Sequence, residues 1–184
     1  MDAASLLKQD HRQVESLLEQ YRSATANSKQ ALLAEITREL TGHMEAEEAV
    51  LYPVLRTSIP DGEDLMEDAV EEHNEAKGLL AELEDMEIGS LAADSKVATL
   101  QKAIEHHVQE EEEEIFPMML ESLSSSRLED LGKEIEDAKK FAKDRPPRSA
   151  AKDSPGSSVA GMVTAANDRL TKKAGRDSKP RSAR

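Results

Sequence analysis

The stretch HMEAEEAVLYP, residues 43–53, returns in outline as HVQEEEEEIFP, residues 107–117. The matched positions are His43 with His107, Glu47 with Glu111, Tyr52 with Phe116, and Pro53 with Pro117. The two stretches are offset by 64 residues, and each contains a His-x3-Glu pair followed by an aromatic residue and a proline. This self-similarity indicates an internal duplication.

The sequence before each pair is duplicated as well. DHRQVESLL at 10–18 and EHNEAKGLL at 72–80 share an acid, a histidine and a leucine pair at matching offsets. His11 therefore corresponds to His73, and four of the five histidines occupy duplicated frames. We infer that the first two helices of the fold are repeated as the third and fourth.

Helix breakers divide the first 144 residues at regular intervals. They lie at 25–28, 58–62, 88–90 and 124–126, which leaves segments of about 25 to 35 residues. Aromatic residues make up only 2% of the chain, which favours helices over sheets. Because short loops join long helices, the sequence predicts an all-α, antiparallel, up-down-up-down four-helix bundle. A capping-box pattern, Ser126-Arg127-Leu128-Glu129, predicts that a short fifth helix follows.

Charge divides the 184 residues into two predicted domains. Residues 145–184 hold ten basic and three acidic residues, a net charge of +7, whereas residues 1–144 hold 14 basic and 35 acidic residues, a net charge of −21. The second segment is rich in Pro and Ser and poor in large apolar residues, so it cannot bury enough surface to offset its ordering entropy. We therefore predict a helical bundle over 1–144 and a disordered basic tail over 145–184.

Composition excludes several classes of protein. The absence of cysteine excludes a disulfide framework, a thiolate zinc site and a cysteine nucleophile. The net charge of −14 excludes a nucleic-acid binder that relies on the positive field of the whole domain. No apolar run approaches the roughly 20 residues of a membrane span, and the first residues lack the pattern of a signal peptide. A cytoplasmic location is the resulting expectation.

Heptad-like spacing places one histidine of each helix in an apolar seam. The predicted seams are Leu7, His11, Val14, Leu18 and Tyr21; Ile36, Leu40, His43, Glu47, Val50 and Val54; Met66, Val70, His73, Ala76, Leu80 and Leu83; and Val97, Leu100, Ile104, His107, Glu111, Glu114 and Met118. His106 points about 100° away from His107 and is predicted to lie on the surface. Glu114, one turn beyond Glu111, is only a secondary candidate for the site.

Buried carboxylates need a partner. An ionised carboxylate in an apolar interior is penalised unless it is protonated, paired or bound to a metal, and the seams offer no lysine or arginine to Glu47 and Glu111. Imidazole nitrogens and carboxylate oxygens without thiolate suit iron, and also manganese or zinc. The sequence predicts a dinuclear metal site with His11, His43, Glu47, His73, His107 and Glu111 as ligands.

The order His11, His43-x3-Glu47, His73, His107-x3-Glu111 resembles the hemerythrin family, in its bacterial hemerythrin-like or HHE cation-binding branch. The resemblance covers roughly residues 1–125. It implies a four-helix bundle around two non-haem irons per chain, with the two glutamates as bridging carboxylates and the four histidines as terminal ligands. It also implies a small ligand such as O2, peroxide or nitric oxide.

The chain departs from hemerythrins proper in helix three, where Lys77 stands at the place of a second histidine. The resemblance then points away from reversible oxygen carriage and towards sensing, iron holding or peroxide removal. A peroxide-decomposing or oxidase enzyme is the first alternative. The second is an acidic interaction module whose basic tail makes weak, non-specific contacts with nucleic acid. A ferritin-like carboxylate site is disfavoured, because such sites use a Glu-x-x-His motif and no histidine of this chain has a glutamate three residues before it.

Overall fold

The computed structural model describes residues 1–144, which are helical apart from short connections and contain no strand. The helices are α1 (Ala3–Ser23), α2 (Ala26–Ala46), α3 (Tyr52–Ser58), α4 (Gly62–Glu84), α5 (Leu91–Glu110), α6 (Phe116–Ser122) and α7 (Ser125–Asp144). Helices α2 and α3 are continuous through a π-helical turn, and so are α5 and α6, so the four bundle helices are α1, α2–α3, α4 and α5–α6, and α7 is the fifth. The predicted all-α bundle with a fifth helix is confirmed. The predicted disordered tail, residues 145–184, lies outside the described residues, and so does its predicted contact with nucleic acid.

Two helices of the bundle contain a π-helical turn. One turn, Glu47–Leu51, joins α2 to α3, and the other, Glu111–Ile115, joins α5 to α6. In each, the N–H of the next aromatic residue donates to the carbonyl of the glutamate five residues earlier. A proline follows each aromatic residue and has no N–H of its own, so widening the turn sacrifices no hydrogen bond from that position. The duplicated prolines thus accompany a change of helix type, while the helix itself continues.

Each π-helical turn advances the register of the seam by one residue, because it holds one more residue than an α-helical turn. The predicted seams beyond the glutamates were therefore wrong. Leu51 and Leu55 are buried in place of Val50 and Val54, and Ile115 and Met119 are buried in place of Glu114 and Met118. Glu114 is exposed and takes no part in the candidate site.

Helix α7 is 20 residues long rather than short. It begins at Ser125, and the hydroxyl of Ser124 accepts a hydrogen bond of 3.3 Å from the N–H of Arg127, so the cap lies two residues before the predicted one. The helix packs against α1, α2 and the first π-helical turn. Its buried face includes Leu128, Leu131 and Ile135.

The apolar core consists of two clusters. One contains Leu18, Ile36, Leu83 and Leu100, and the other contains Leu7, Leu55, Met66, Phe116 and Ile135. His11 lies between Leu7 of one cluster and Val14 of the other, and His73 lies likewise between Ala69 and Ala76. A polar layer therefore separates the two clusters. Within residues 1–144, no helix combines the length and the apolar character that a membrane span requires.

Candidate metal centre

The polar layer contains all six predicted ligand residues. Helices α1, α2, α4 and α5 each supply one of the predicted histidine ligands, and the π-helical turns begin at the two glutamates. The six side chains belong to residues that are at most 4% exposed: His11, His43, Glu47, His73, His107 and Glu111. The structure thus brings the predicted set together, and its role in metal binding stays a prediction.

The four imidazoles direct their Nε2 atoms at the two carboxylates. His43 Nε2 lies 3.1 Å and His73 Nε2 lies 3.4 Å from Glu47 Oε2. His11 Nε2 lies 3.3 Å and His107 Nε2 lies 3.6 Å from Glu111 Oε2. These atoms form two groups with spacings suited to a shared ion: subsite 1, with His11, His43, Glu47 and Glu111, and subsite 2, with Glu47, His73 and His107.

The outward Nδ1 atom of each histidine faces a second carboxylate. The pairs are His11 with Glu112 at 2.9 Å, His43 with Asp10 at 3.6 Å, His73 with Glu48 at 2.9 Å, and His107 with Glu72 at 2.8 Å. We call Asp10, Glu48, Glu72 and Glu112 the outer carboxylates. Such partners fix the tautomer and orientation of metal-ligating histidines. Sequence reasoning missed all four, although each directly precedes or follows a predicted ligand residue in the duplicated frames.

Three outer carboxylates also contact a cationic side chain. Arg12 donates two hydrogen bonds of 2.7 Å to Glu112, Lys77 lies 2.5 Å from Glu48, and Lys139 of α7 contacts Asp10. Lys77 therefore takes no place in the centre itself, although it stands where hemerythrins proper have a ligand. The fourth outer carboxylate, Glu72, lies 3.5 Å from His106, whose side chain is 66% exposed, as predicted for a surface residue.

Tyr52 and Phe116 occupy matching positions and differ in chemistry. The Tyr52 hydroxyl lies 3.1 Å from His73 Nε2 and donates to Glu111 Oε1 at 3.3 Å. The Phe116 ring stacks on the His11 ring, with centroids 5.9 Å apart and planes inclined by 9°. The hydroxyl therefore lies on one side of the duplicated centre only.

Without a metal, the pKa values of the two glutamates are shifted in opposite directions. Burial and the charge of Glu111 raise the pKa of Glu47 well above its usual range. Burial also acts to raise the pKa of Glu111, but the neighbouring His107 and His11 outweigh it and lower that pKa. The protein thus favours the protonated form of Glu47 and the ionised form of Glu111. A cation between the two carboxylates would stabilise the ionised form of both.

The histidines also differ among themselves. Burial lowers the pKa of His43 to about 4, so this imidazole is neutral, as metal ligation requires. Burial opposes the charge on His11 and His107 too, yet hydrogen bonds and the charge of Glu111 raise the pKa of both. The pKa values of His11 and His107 are thus shifted in the opposite direction to that of His43.

The donor set fits iron. Both oxygens of Glu47, together with Glu111 Oε2 and His11 Nε2, have no hydrogen-bond partner among the described residues. These atoms are fully buried and lie at the meeting point of the histidines, where a cation would satisfy all of them. Imidazole nitrogen and carboxylate oxygen without sulfur are donors that non-haem iron accepts.

Little free space adjoins the centre. A void of about 10 Å³ lies beside His11, His43 and His107, and its walls include Leu40 and Ile104. A volume of this order suits one water-sized molecule. The centre is thus accessible only to very small ligands.

Comparison with known proteins gives consistent results. A profile of the hemerythrin HHE cation binding domain matches residues 2–119. A DNA nickase of Nostoc sp. is 29% identical over 140 residues, and the match covers 76% of this chain but only 39% of that protein. An uncharacterized hemerythrin-like protein of Schizosaccharomyces pombe is 27% identical over 166 residues, covering 88% and 80% of the two chains. The crystal structure of a hemerythrin HHE cation binding domain-containing protein from Mycobacterium kansasii has the same fold, with a TM-score of 0.69 at 23% identity over 78% of this chain and 88% of that one.

Proposed function

The chain belongs to the hemerythrin HHE cation-binding domain family, and on that premise we propose that it is a non-haem di-iron protein that binds, senses or reacts with O2, peroxide or nitric oxide. The observation that carries the proposal is the buried Glu47 carboxylate: within residues 1–144 neither of its oxygens has a hydrogen-bond partner, and it faces the imidazoles of both subsites. Such a group is stable in this environment when a cation binds it.

The proposed ligands divide between the two subsites. His11, His43 and Glu111 would hold one ion, His73 and His107 would hold the other, and Glu47 would be common to both. Iron supplies reversible one-electron chemistry and an open position for a small ligand. Glu112, Glu48 and Glu72 accept hydrogen bonds from Nδ1 of His11, His73 and His107, and thereby keep Nε2 of these three histidines free to face an ion.

The surrounding residues limit the size of the ligand. Leu40 and Ile104 line the small void beside the histidines, so a larger substrate does not fit there. The Tyr52 hydroxyl holds a proton within hydrogen-bond distance of Glu111 and orients that carboxylate. The activity named for the Nostoc relative is not proposed for this centre, because a phosphodiester backbone needs direct access to the metals, and the candidate ligands are buried.

Iron analysis tests the proposal. The full chain, purified without metal and loaded anaerobically with ferrous iron, is expected to bind about two irons. Glu47→Ala removes the carboxylate common to both subsites and is expected to lose at least one iron. Glu113→Ala, at an exposed glutamate of the second π-helical turn, is the matched control and should retain both.

Ligand binding is tested on the same sample. Adding nitric oxide or O2 should change the absorbance of the loaded wild-type protein. Two bound irons with no ligand-dependent change would contradict the proposed ligands, and failure to bind two irons would contradict the centre itself. Turnover of peroxide that is lost in His73→Ala would assign the peroxide-decomposing alternative.

A further inference from the structure

Helix α7 contributes a buried lysine to the surroundings of the metal centre. Lys139 is 8% exposed, and its ammonium group contacts Asp10 Oδ1. Asp10 is itself buried, and its other oxygen, Oδ2, faces His43 Nδ1. A contact chain therefore leads from the fifth helix to a candidate ligand of subsite 1.

A close backbone approach holds α7 against the start of the chain. Gly132, two turns before Lys139, lies against the start of the chain, and a Cβ atom there would be 2.3 Å from the carbonyl oxygen of Met1. Only glycine permits this approach without displacing backbone. Leu131 and Ile135, on either side of Gly132, are fully buried in the adjoining apolar cluster.

Asp10, which contacts Lys139, lies farther from its histidine than the other outer carboxylates do. The distance from His43 Nδ1 to Asp10 is 3.6 Å, beyond hydrogen-bond range, whereas the other three histidines lie 2.8 to 2.9 Å from their outer carboxylates. A carboxylate bound to an ammonium group offers less electron density to the imidazole on its other side. His43 is therefore the least supported of the candidate ligands.

The cations on the other outer carboxylates act in a different setting. The side chains of Arg12 and Lys77 are 56% and 32% exposed, so water screens their charges, and the histidines concerned keep their hydrogen bonds. The side chain of Lys139 is only 10% exposed, so its charge is felt more strongly by a cation nearby. The corresponding place beside Glu72 is taken by His106 and Glu110, without a lysine.

We propose that Lys139 is a positioning residue that weakens metal binding at subsite 1, by engaging Asp10 and drawing it away from His43. The inference rests on the proposed function. It makes the two subsites unequal, so that the ion held by His11 and His43 exchanges more readily than the ion held by His73 and His107. Helix α7 thus sets the affinity of one subsite without contacting the metal.

Iron affinity measured with a competing chelator tests this inference. The full chain, free of metal and kept anaerobic, is titrated with ferrous iron, and two dissociation constants are fitted. In Lys139→Met, Asp10 is free to accept from His43 Nδ1, and changes in such partners alter metal affinity about 10- to 100-fold. We expect the weaker constant to tighten at least tenfold and the stronger one to stay unchanged.

Three variants complete the experiment. Lys139→Arg keeps the charge and should behave as the wild type. Lys133→Met, at an exposed lysine of the same helix, is the matched control and should leave both constants unchanged. If circular dichroism shows that Lys139→Met does not fold, Lys139→Gln, which retains a hydrogen-bond donor without the charge, is titrated in its place.

The outcomes separate the two proposals. Two irons bound to the wild type, with constants that do not respond to loss of the Lys139 charge or that change equally, would overturn the inference and leave the di-iron function intact. A wild type that does not bind two irons would overturn the proposed function first.

Discussion

In subsite 1 the ring of Phe116 stacks on a histidine, and in subsite 2 the ring of Tyr52 also stacks on one but adds a hydroxyl group beside it. The duplicated residues around them are otherwise the same in kind: a histidine, a His-x3-Glu pair, a π-helical turn and outer carboxylates. The features shared by both copies build the centre, and the features found in one copy distinguish its two sides. Lys139 belongs to the second group, because α7 has no counterpart in the duplication.

The largest expected effect tests a feature that both copies share. Leu51 and Ile115 end the two π-helical turns and are buried, so Leu51→Ala and Ile115→Ala should each lower the free energy of unfolding by about 2–5 kcal/mol. Urea denaturation measures the loss. Val50→Ala is the control and should cost clearly less, because Val50 is only partly buried. If Val50→Ala lowered the free energy of unfolding more than Leu51→Ala does, the helix would have the register of an uninterrupted α-helix and the π-helical turn would be wrong.

A smaller effect is expected where the copies differ. Tyr52→Phe removes the hydroxyl that donates to Glu111 and leaves a buried carboxylate oxygen without that partner, at a cost of about 1–3 kcal/mol in the metal-free protein. Tyr21→Phe, which removes a hydroxyl bonded to the more accessible Asp94, is the matched control with a smaller expected cost. Equal losses in urea denaturation would mean that the Tyr52 hydroxyl has no special place at the centre.

The smallest effect separates two corresponding histidines by pH. The pKa of His43 is lowered to about 4, so its contribution to the stability of the metal-free fold is present above the unfolded value of about 6.5 and is lost as the pH falls towards 4. The pKa of His107 is raised, so its contribution is present below that unfolded value and is lost as the pH rises through the folded one.

Variants of the two histidines measure how strongly each contribution to stability changes with pH. Between pH 6.5 and 5.5, the stability difference between wild type and His43→Gln should shrink by at most about 1.4 kcal/mol. For His107→Gln the informative range lies higher: lowering the pH from above neutrality to about 6.5 should widen the stability difference from wild type, because the His107 pKa is raised. Urea denaturation of the metal-free proteins provides both values. Slopes of the same sign would show that the two positions are electrostatically equivalent.

The bundle and the convergence of the six predicted side chains followed from spacing alone. Residues four apart lie on one face of a helix, and a carboxylate such as Glu47 in an apolar seam demands a partner. The outer carboxylates escaped prediction because a neighbour such as Asp10 or Glu112 points about 100° away from the seam and resembles a solvated face.

The remaining misses have a different physical origin. The π-helical turn leaves only a weak trace in the sequence, the proline two residues beyond each turn, and that trace equally indicates a kink or a helix end. The role of Lys139 depends on how a fifth helix docks, and the close approach at Gly132 decides this. Neither helical periodicity nor the duplication contains that information.

The recurrence of the π-helical turn at the same place in both copies orders events in the history of the chain. The simplest ancestry has one helical hairpin that already possessed the turn, its proline and its acidic neighbours before the gene was doubled. Two such hairpins, meeting about a twofold axis, would have assembled the whole centre as a symmetric dimer. Tyr52 and the lysine of α7 are where the two sides differ, as a single chain permits and a symmetric dimer does not.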